Sequence, residues 1–378
     1  MPADDADALY LGLISGTSAD GIDVALVHFD NGRPRLQTGY VHPWPASLRT
    51  RLLALAQLES GVDLDVFGRL DVEIGECFAN AALTLLKRNN IAAATIRAIG
   101  SHGQTVRHRP GGDYPFTLQI GDPAVIAERC GIDVVADFRR ADIAAGGQGA
   151  PLVPAVHAAL LSTPGQTRVV LNLGGIANIS VLGADGGVLG FDTGPANALM
   201  DAWCLRQRGA AFDRDGAYAA SGQVDAKLLK ALLADDYFAL PPPKSSGREY
   251  FHLAWLTGYP QLRTVAAPDV QATLLELTAR SVAQAIREHA AAASQVLACG
   301  GGVRNGVLMH RLQELLHPIE VTSTASVGID PDFLEATAFA WLARQRLLGL
   351  PGNLPAVTGA CGPRVLGAIY SASGPGSS

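Results

Sequence analysis

At 378 residues and 48 % hydrophobic, the chain suits two cores rather than one, because single cores rarely grow past about 250–300 residues. A formal charge of -6 excludes a nucleic-acid partner held by a basic face, and a charged fraction of 17 % points to much buried surface and a subunit interface, so a homodimer is expected. Five scattered cysteines without a C-x-x-C pair, an acidic Met1–Ala8 and no apolar run of about 20 residues fit a cytoplasmic protein with no membrane partner.

The spacing predicts a strand over Tyr10–Ile14, a small polar stretch Ser15–Asp23, and a second strand over Val24–Phe29 closed by an Asn31-Gly32 turn. Helical spacing follows over Leu48–Leu58 and Leu64–Lys87. A short strand, Ile96–Gly100, ends at Ser101-His102-Gly103. Strands over Phe116–Ile120 and Val134–Ala136 flank a short helix, Pro123–Cys130. A glycine-rich stretch, Gly146–Pro151, then precedes a helix near Val153–Leu161. At Arg168 the pattern restarts with strands Val169–Leu173, Ile176–Leu182 and Val188–Phe191, and a helix over Pro195–Arg208. Asp269–Ala291 is a long amphipathic helix, Val296–Cys299 a strand before three glycines, and Asp330-Pro331 opens a last helix running to Gly349. The two halves share an order of elements, as in a two-lobed nucleotide-binding enzyme.

Four turns carry the chemistry. Gly16, Thr17, Ser18, Ala19, Asp20, Gly21, Ile22 and Asp23 form a small-residue turn whose amides and hydroxyls suit phosphate oxygens. Asp20 and Asp23 would repel phosphate unless Mg²⁺ lies between, and that hard cation takes carboxylate oxygens. An ordinary hairpin turn has the same composition. No Gly-Lys-Ser/Thr follows, so this is not a Walker A loop. Gly174 and Gly175, between Asn172 and Asn178, repeat the idea in the second half, and a plain hairpin again stands beside it. Asp192 ends a strand just before a helix, placed either as a base or as a helix cap. Gly300, Gly301 and Gly302, followed by Asn305, allow a flat ligand such as adenine close to the main chain, or serve only close packing.

Other charged groups lie among small residues. His102 follows a strand at a glycine turn, Arg139 suits either a substrate carboxylate or an internal ion pair, and Glu335 opens the last helix. Lys244 and Arg248 sit in the polar stretch Pro241–Arg248, which reads as a mobile lid or a solvated surface.

Taken in order, the segments Gly16–Asp23, Gly100–Thr105, Asp133–Pro154, Asn172–Ser180, Phe191–Asn197, Phe212–Gly222, Lys244–Arg248, Gly300–Asn305 and Pro351–Pro363 resemble the anhydro-N-acetylmuramic acid kinase family of the actin-like ATPase and sugar kinase superfamily. Ala19 and Ala196 are mild departures, and a positive φ at Ala196 would be strained. The resemblance implies an α/β, two-lobed actin/hexokinase-like (ribonuclease H-like) fold, duplicated around a nucleotide cleft. Its lobes would be 1–165 with 356–378, and 166–355. It implies an enzyme that opens a 1,6-anhydro bridge and phosphorylates O6 with ATP and Mg²⁺. Asp192 would be the base, and Glu335 would help hold the sugar and water. His102, Gln104, Arg139 and Gln148 would bind the small-molecule sugar, while the three glycine turns hold the nucleotide. An ordinary hexose or N-acetylhexosamine kinase, or an actin-like ATPase that takes no sugar, are the alternatives.

Overall fold

The computed structural model describes residues 8–16, 19–30, 32–58, 61–247 and 250–372. Twelve strands run through them: β1 (Leu9–Ser15), β2 (Ile22–Asp30), β3 (Arg33–His42), β4 (Ile96–Arg109), β5 (Phe116–Ile120), β6 (Val134–Ala136), β7 (Thr167–Leu173), β8 (Ile176–Leu182), β9 (Val188–Pro195), β10 (Ala293–Cys299), β11 (Glu320–Ser323) and β12 (Ala368–Tyr370). The chain forms two units, Met1–Leu160 with Phe333–Ser378, and Leu161–Asp332.

In the first unit the sheet order is β12-β6-β4-β1-β2-β3, with β5 hairpinned onto β4. Strands β1, β2 and β3 are antiparallel, β4 runs parallel to β1, and β6 parallel to β4. In the second unit the order is β11-β10-β7-β8-β9. There β7, β8 and β9 are antiparallel, β10 is parallel to β7, and β11 to β10. Each half therefore builds three antiparallel strands and then adds parallel ones on the far side of its first. Parallel pairs need helical crossovers. The Leu64–Arg88 helix supplies one before β4, and the Ala267–His289 helix one before β10. This duplicated α/β plan is the actin/hexokinase-like, ribonuclease H-like one.

The first sheet is covered on both faces. One face packs Leu11, Leu13 and Val24 against Leu52, Ile74 and Phe78 of two helices. The other packs Tyr10, Phe29 and Ala98 against Phe339 and Trp341 of the Leu334–Leu347 helix. That helix approaches the sheet through two glycines in register, Gly12 on β1 and Gly100 on β4. A Cβ at Gly12 would lie 1.8 Å from the Ala336 carbonyl oxygen, and one at Gly100 would lie 2.0 Å from that of Phe339. The lobe boundary expected at 355/356 differs on this point. The last helix belongs to the first unit, and the second ends at Asp332.

Candidate active site

In the first unit, β1 delivers Ser15 and Gly16 to the hairpin mouth and β2 resumes at Ile22. The Ala19 amide donates to the Gly16 carbonyl at 2.9 Å, closing a turn. Ala19, not Ala196, takes the positive φ, at 47°. Ala196 has φ -130°. Arg49 Nε donates to the Ala19 carbonyl at 2.7 Å and its Nη2 reaches the exposed Asp20 carboxylate at 3.3 Å. From β4, Gln104 Nε2 donates to the Gly16 carbonyl at 3.1 Å. Two side chains thus brace the turn. Thr17 and Ser18 lie outside the described residues. Gly21 and Ile22 are buried, and Asp23 pairs in register with Ile14. The hydroxyls of Ser15 and Ser101 and the Gln104 Oε1 are buried and meet no hydrogen-bond partner among the described residues. Such atoms cost about 1–3 kcal/mol each unless a ligand or water satisfies them, so this cradle suits a ligand rich in oxygen.

Two predicted sugar residues, Arg139 and His102, touch in the same unit. Arg139 Nε donates to His102 Nε2 at 3.0 Å, which leaves the imidazole proton on Nδ1, donating to the Gly103 carbonyl at 3.0 Å. Burial, and then the Arg139 charge, holds His102 well below its ordinary value, so it stays neutral. Arg139 Nη1 donates to the Gly149 carbonyl at 2.8 Å. Burial lowers the guanidinium to about 10 against the opposing charges of Glu335 and Asp142, so it remains charged at neutral pH. Glu335 lies in the first turn of the last helix, and its charge acts on Arg139. Gln148 sits on the neighbouring loop, its amide donating to the Thr358 carbonyl at 2.8 Å. That loop is fixed by Asp142, which is fully buried. Asp142 accepts from the Gly149 amide at 2.7 Å, Asn353 Nδ2 at 2.6 Å and the Thr358 hydroxyl at 2.7 Å.

In the second unit, Asn172, Asn178 and Asp192 form one row across β7, β8 and β9. The carbonyls of Gly174 and Gly175 accept from the amides of Asn197 and Ala198, so the glycine turn abuts the start of the Asn197–Arg208 helix. The cap of that helix is Ala196, with no side-chain bond. Asp192 is therefore not the helix cap. Its Oδ2 accepts the Ser246 amide at 2.8 Å, and its carbonyl accepts the Tyr237 hydroxyl at 2.8 Å. Gly300 has φ +79°, and a Cβ there would lie 2.4 Å from Asn172 Oδ1, so only glycine fits beside that side chain. Gly301 and Gly302 open a short turn, which Arg304 ties down through an ion pair with Asp332. Asn305 is largely buried and its Oδ1 caps the Gly306–Leu316 helix at the Leu308 amide, 3.0 Å away, a structural task the sequence reading did not separate from nucleotide binding.

Comparison with known proteins matches residues 8–372 to a family described as anhydro-N-acetylmuramic acid kinase. The chain belongs to the anhydro-N-acetylmuramic acid kinase family. An anhydro-N-acetylmuramic acid kinase of Xanthomonas campestris pv. campestris (strain 8004) is 58 % identical over 96 % of this chain and 97 % of its own. One from Coxiella burnetii (strain Dugway 5J108-111) is 51 % identical over 96 % and 97 %. A solved glucokinase from Streptomyces griseus, in complex with glucose and AMPPNP, is 12 % identical and covers 89 % of this chain and 100 % of its own, with a TM-score of 0.41.

As a member of the anhydro-N-acetylmuramic acid kinase family the chain is an enzyme, a phosphotransferase with a small sugar as acceptor. Asp142 escaped the sequence reading, and the only signal for it was an acid beside Arg139 and Arg140. Lys244–Gly247, expected as part of a mobile lid or a solvated surface, is docked onto Asp192. Arg248 lies outside the described residues. Among the described residues no helix is long and apolar enough to cross a membrane, and no cluster of three metal-binding side chains occurs.

Proposed function

We propose that the chain opens the 1,6-anhydro bridge of 1,6-anhydro-N-acetylmuramic acid and phosphorylates O6 from ATP, with Asp192 as the base. Water attacks C1 as Asp192 takes its proton, the C1–O6 bond breaks, and O6 bonds to the γ-phosphorus as ADP leaves. The products are N-acetylmuramic acid 6-phosphate and ADP, a step in peptidoglycan recycling. An inverting glycosidase needs a base for water and an acid for the leaving oxygen. Here the phosphoryl group takes the place of the acid, so one carboxylate suffices. The observation that carries the reading is the carboxylate of Asp192, which lies within β9 rather than at the strand end expected from the sequence, and is held by the Ser246 amide instead of capping a helix.

The remaining roles follow from chemistry. Arg139 keeps its charge and supplies directional donors for the sugar, while neutral His102 fixes its orientation. Glu335, beside that charge, helps hold the sugar and water, and Gln104 and Gln148 supply further polar contacts. The Gly16–Asp23 turn takes phosphates, with the Gly174-Gly175 and Gly300–Gly302 turns on the rest of the nucleotide. Two hard carboxylates at a hairpin mouth fit a Mg²⁺ that keeps most of its water and shares phosphate oxygens. Asp23 and Asp20 would hold it. The ion would neutralise charge on the transferring phosphoryl group. The enzyme works in the cytoplasm as a homodimer, in keeping with its low charged fraction of 17 %.

Asp192→Asn tests the reading. It should leave nucleotide affinity near wild type and lower sugar-dependent ADP release by at least about a thousandfold, since an Asn amide has no basic lone pair for water. In ¹⁸O-water the wild type should label C1 of the product. Retained turnover in the variant removes the base, and an unlabelled C1 identifies an ordinary sugar kinase.

A further inference from the structure

The stretch Lys244–Gly247 has the composition of a solvated loop, yet it lies along β9 as a strap. Its Lys244 carbonyl accepts the Asp192 amide at 3.0 Å, and two residues on the Ser246 amide donates to Asp192 Oδ2. One strap thus grips both the main chain and the carboxylate of the same residue.

Both ends of the strap are anchored. Lys244 Nζ donates to the carbonyls of Tyr237 at 3.1 Å and Phe238 at 3.3 Å, and lies 4.8 Å from the centre of the Tyr237 ring. At the other end the Gly247 carbonyl accepts the amides of Tyr250 and Phe251, both at 3.1 Å. Phe251 is 1 % exposed and packs edge-on against Tyr237 and Trp255. Asp235 ties the cluster together, accepting from the Tyr250 hydroxyl and the Trp255 indole. The Ser246 hydroxyl is buried and meets no partner among the described residues, so main-chain contacts, not that side chain, hold the strap.

We propose that the Lys244–Gly247 strap is a positioning element, whose Ser246 amide fixes the rotamer of the Asp192 carboxylate and keeps it in its charged form. This rests on Asp192 being the base. An N–H donor stabilises the ionised carboxylate, which trades basic strength for full ionisation at neutral pH. It also removes rotational freedom from a group that must meet water in one geometry. Titratable groups pack around the strap. Burial, and then the Asp192 charge, pushes the Tyr237 phenol up, so it stays neutral. Burial lowers Lys244 against the opposing charge of Glu288. Asp235 is pushed up by burial but held below the usual carboxylate range by the bonds from Trp255, Tyr237, Tyr250 and Tyr259.

The test removes one N–H. Ser246→Pro does so genetically, and an α-hydroxy acid incorporated at position 246 replaces the amide by an ester with little change of shape. Either should move the acid limb of the kcat profile upward by about one pH unit and lower kcat about tenfold, with KM for ATP nearly constant. Ser246→Ala keeps the amide and should keep the wild-type limb. Should the proline variant fail to fold, the ester decides. A folded ester enzyme with an unmoved limb overturns the strap, while loss of turnover in Asp192→Asn leaves the base intact. Turnover surviving Asp192→Asn overturns the base itself.

Discussion

Removing the Asp142 carboxylate should both destabilise the first unit and loosen the loop that carries Gln148 and Gly149. The group is fully buried and accepts three short hydrogen bonds, from Gly149, Asn353 and Thr358. In Asp142→Ala the Gly149 amide loses its acceptor outright. Asn353 cannot rescue itself by flipping its amide, because its Oδ1 already accepts the Arg364 amide at 2.7 Å. Asn353 Nδ2 and the Thr358 hydroxyl keep only weaker alternatives, the Gly362 and Leu354 carbonyls, each at 3.4 Å. One stranded donor at about 1–3 kcal/mol, with smaller losses at Asn353 and Thr358, gives about 3 kcal/mol. For a unit of 150–250 residues that lowers Tm by about 6–12 °C. Asp142→Asn should cost about half as much, since one oxygen remains and the Thr358 hydroxyl can turn to accept from the new amide. Scanning calorimetry reads both shifts. Because Gly149 presents the carbonyl that holds Arg139, KM for the sugar should rise in both variants while KM for ATP stays near wild type. Melting within about 2 °C of wild type for Asp142→Ala would refute the accounting.

Two further outcomes follow from the same geometry. Burial depresses four imidazoles of the first unit: His42, with the Arg88 charge adding to the effect, His102 well below its ordinary value, with the Arg139 charge adding, His108 to about 4 with Arg139 and Arg109 contributing, and His157 to about 3. Below their unfolded value of 6.5 only the unfolded chain takes up these protons, so stability is complete above that pH and falls as the pH drops through 6.5 toward 4. Tm should therefore decline between about pH 7 and 5, less steeply in a His157→Gln variant, and a flat Tm would contradict the burial. Asp23→Ala should raise the Mg²⁺ needed for half-maximal rate by about tenfold. An unchanged Mg²⁺ titration would count against its place near the metal.

Local chemistry made the turns legible. The Gly16–Asp23, Gly174-Gly175 and Gly300–Gly302 stretches read correctly as breaks between apolar runs, and Leu64–Lys87 emerges as the Leu64–Arg88 helix. Partnership was not legible. The strand expected to stop at Gly100 continues to Arg109, because β5 pairs with its polar half. Strand β3 went unread because Arg33–His42 is half-exposed and lacks an apolar alternation. The last helix is buried on nearly every side, so its pattern names no face and no sheet. At the site, Asn172, Asn178 and Asp192 were each singled out from the sequence, but the row they form comes from the pairing of β7, β8 and β9. Asp142 and the Lys244–Gly247 strap depend on contacts made far along the chain, and their polar letters look like surface.

The seat of the last helix also bears on how the protein is made. Gly12 and Gly100 leave the ribosome long before residues 334–347 exist, and until then Tyr10, Phe29 and Ala98 lack the helix that completes their cover. The second unit is continuous in sequence and can close as soon as Asp332 emerges. Nascent chains stalled between these two points should carry a finished later unit and an earlier one with a greasy face still open, the stage at which a chaperone has most to hold.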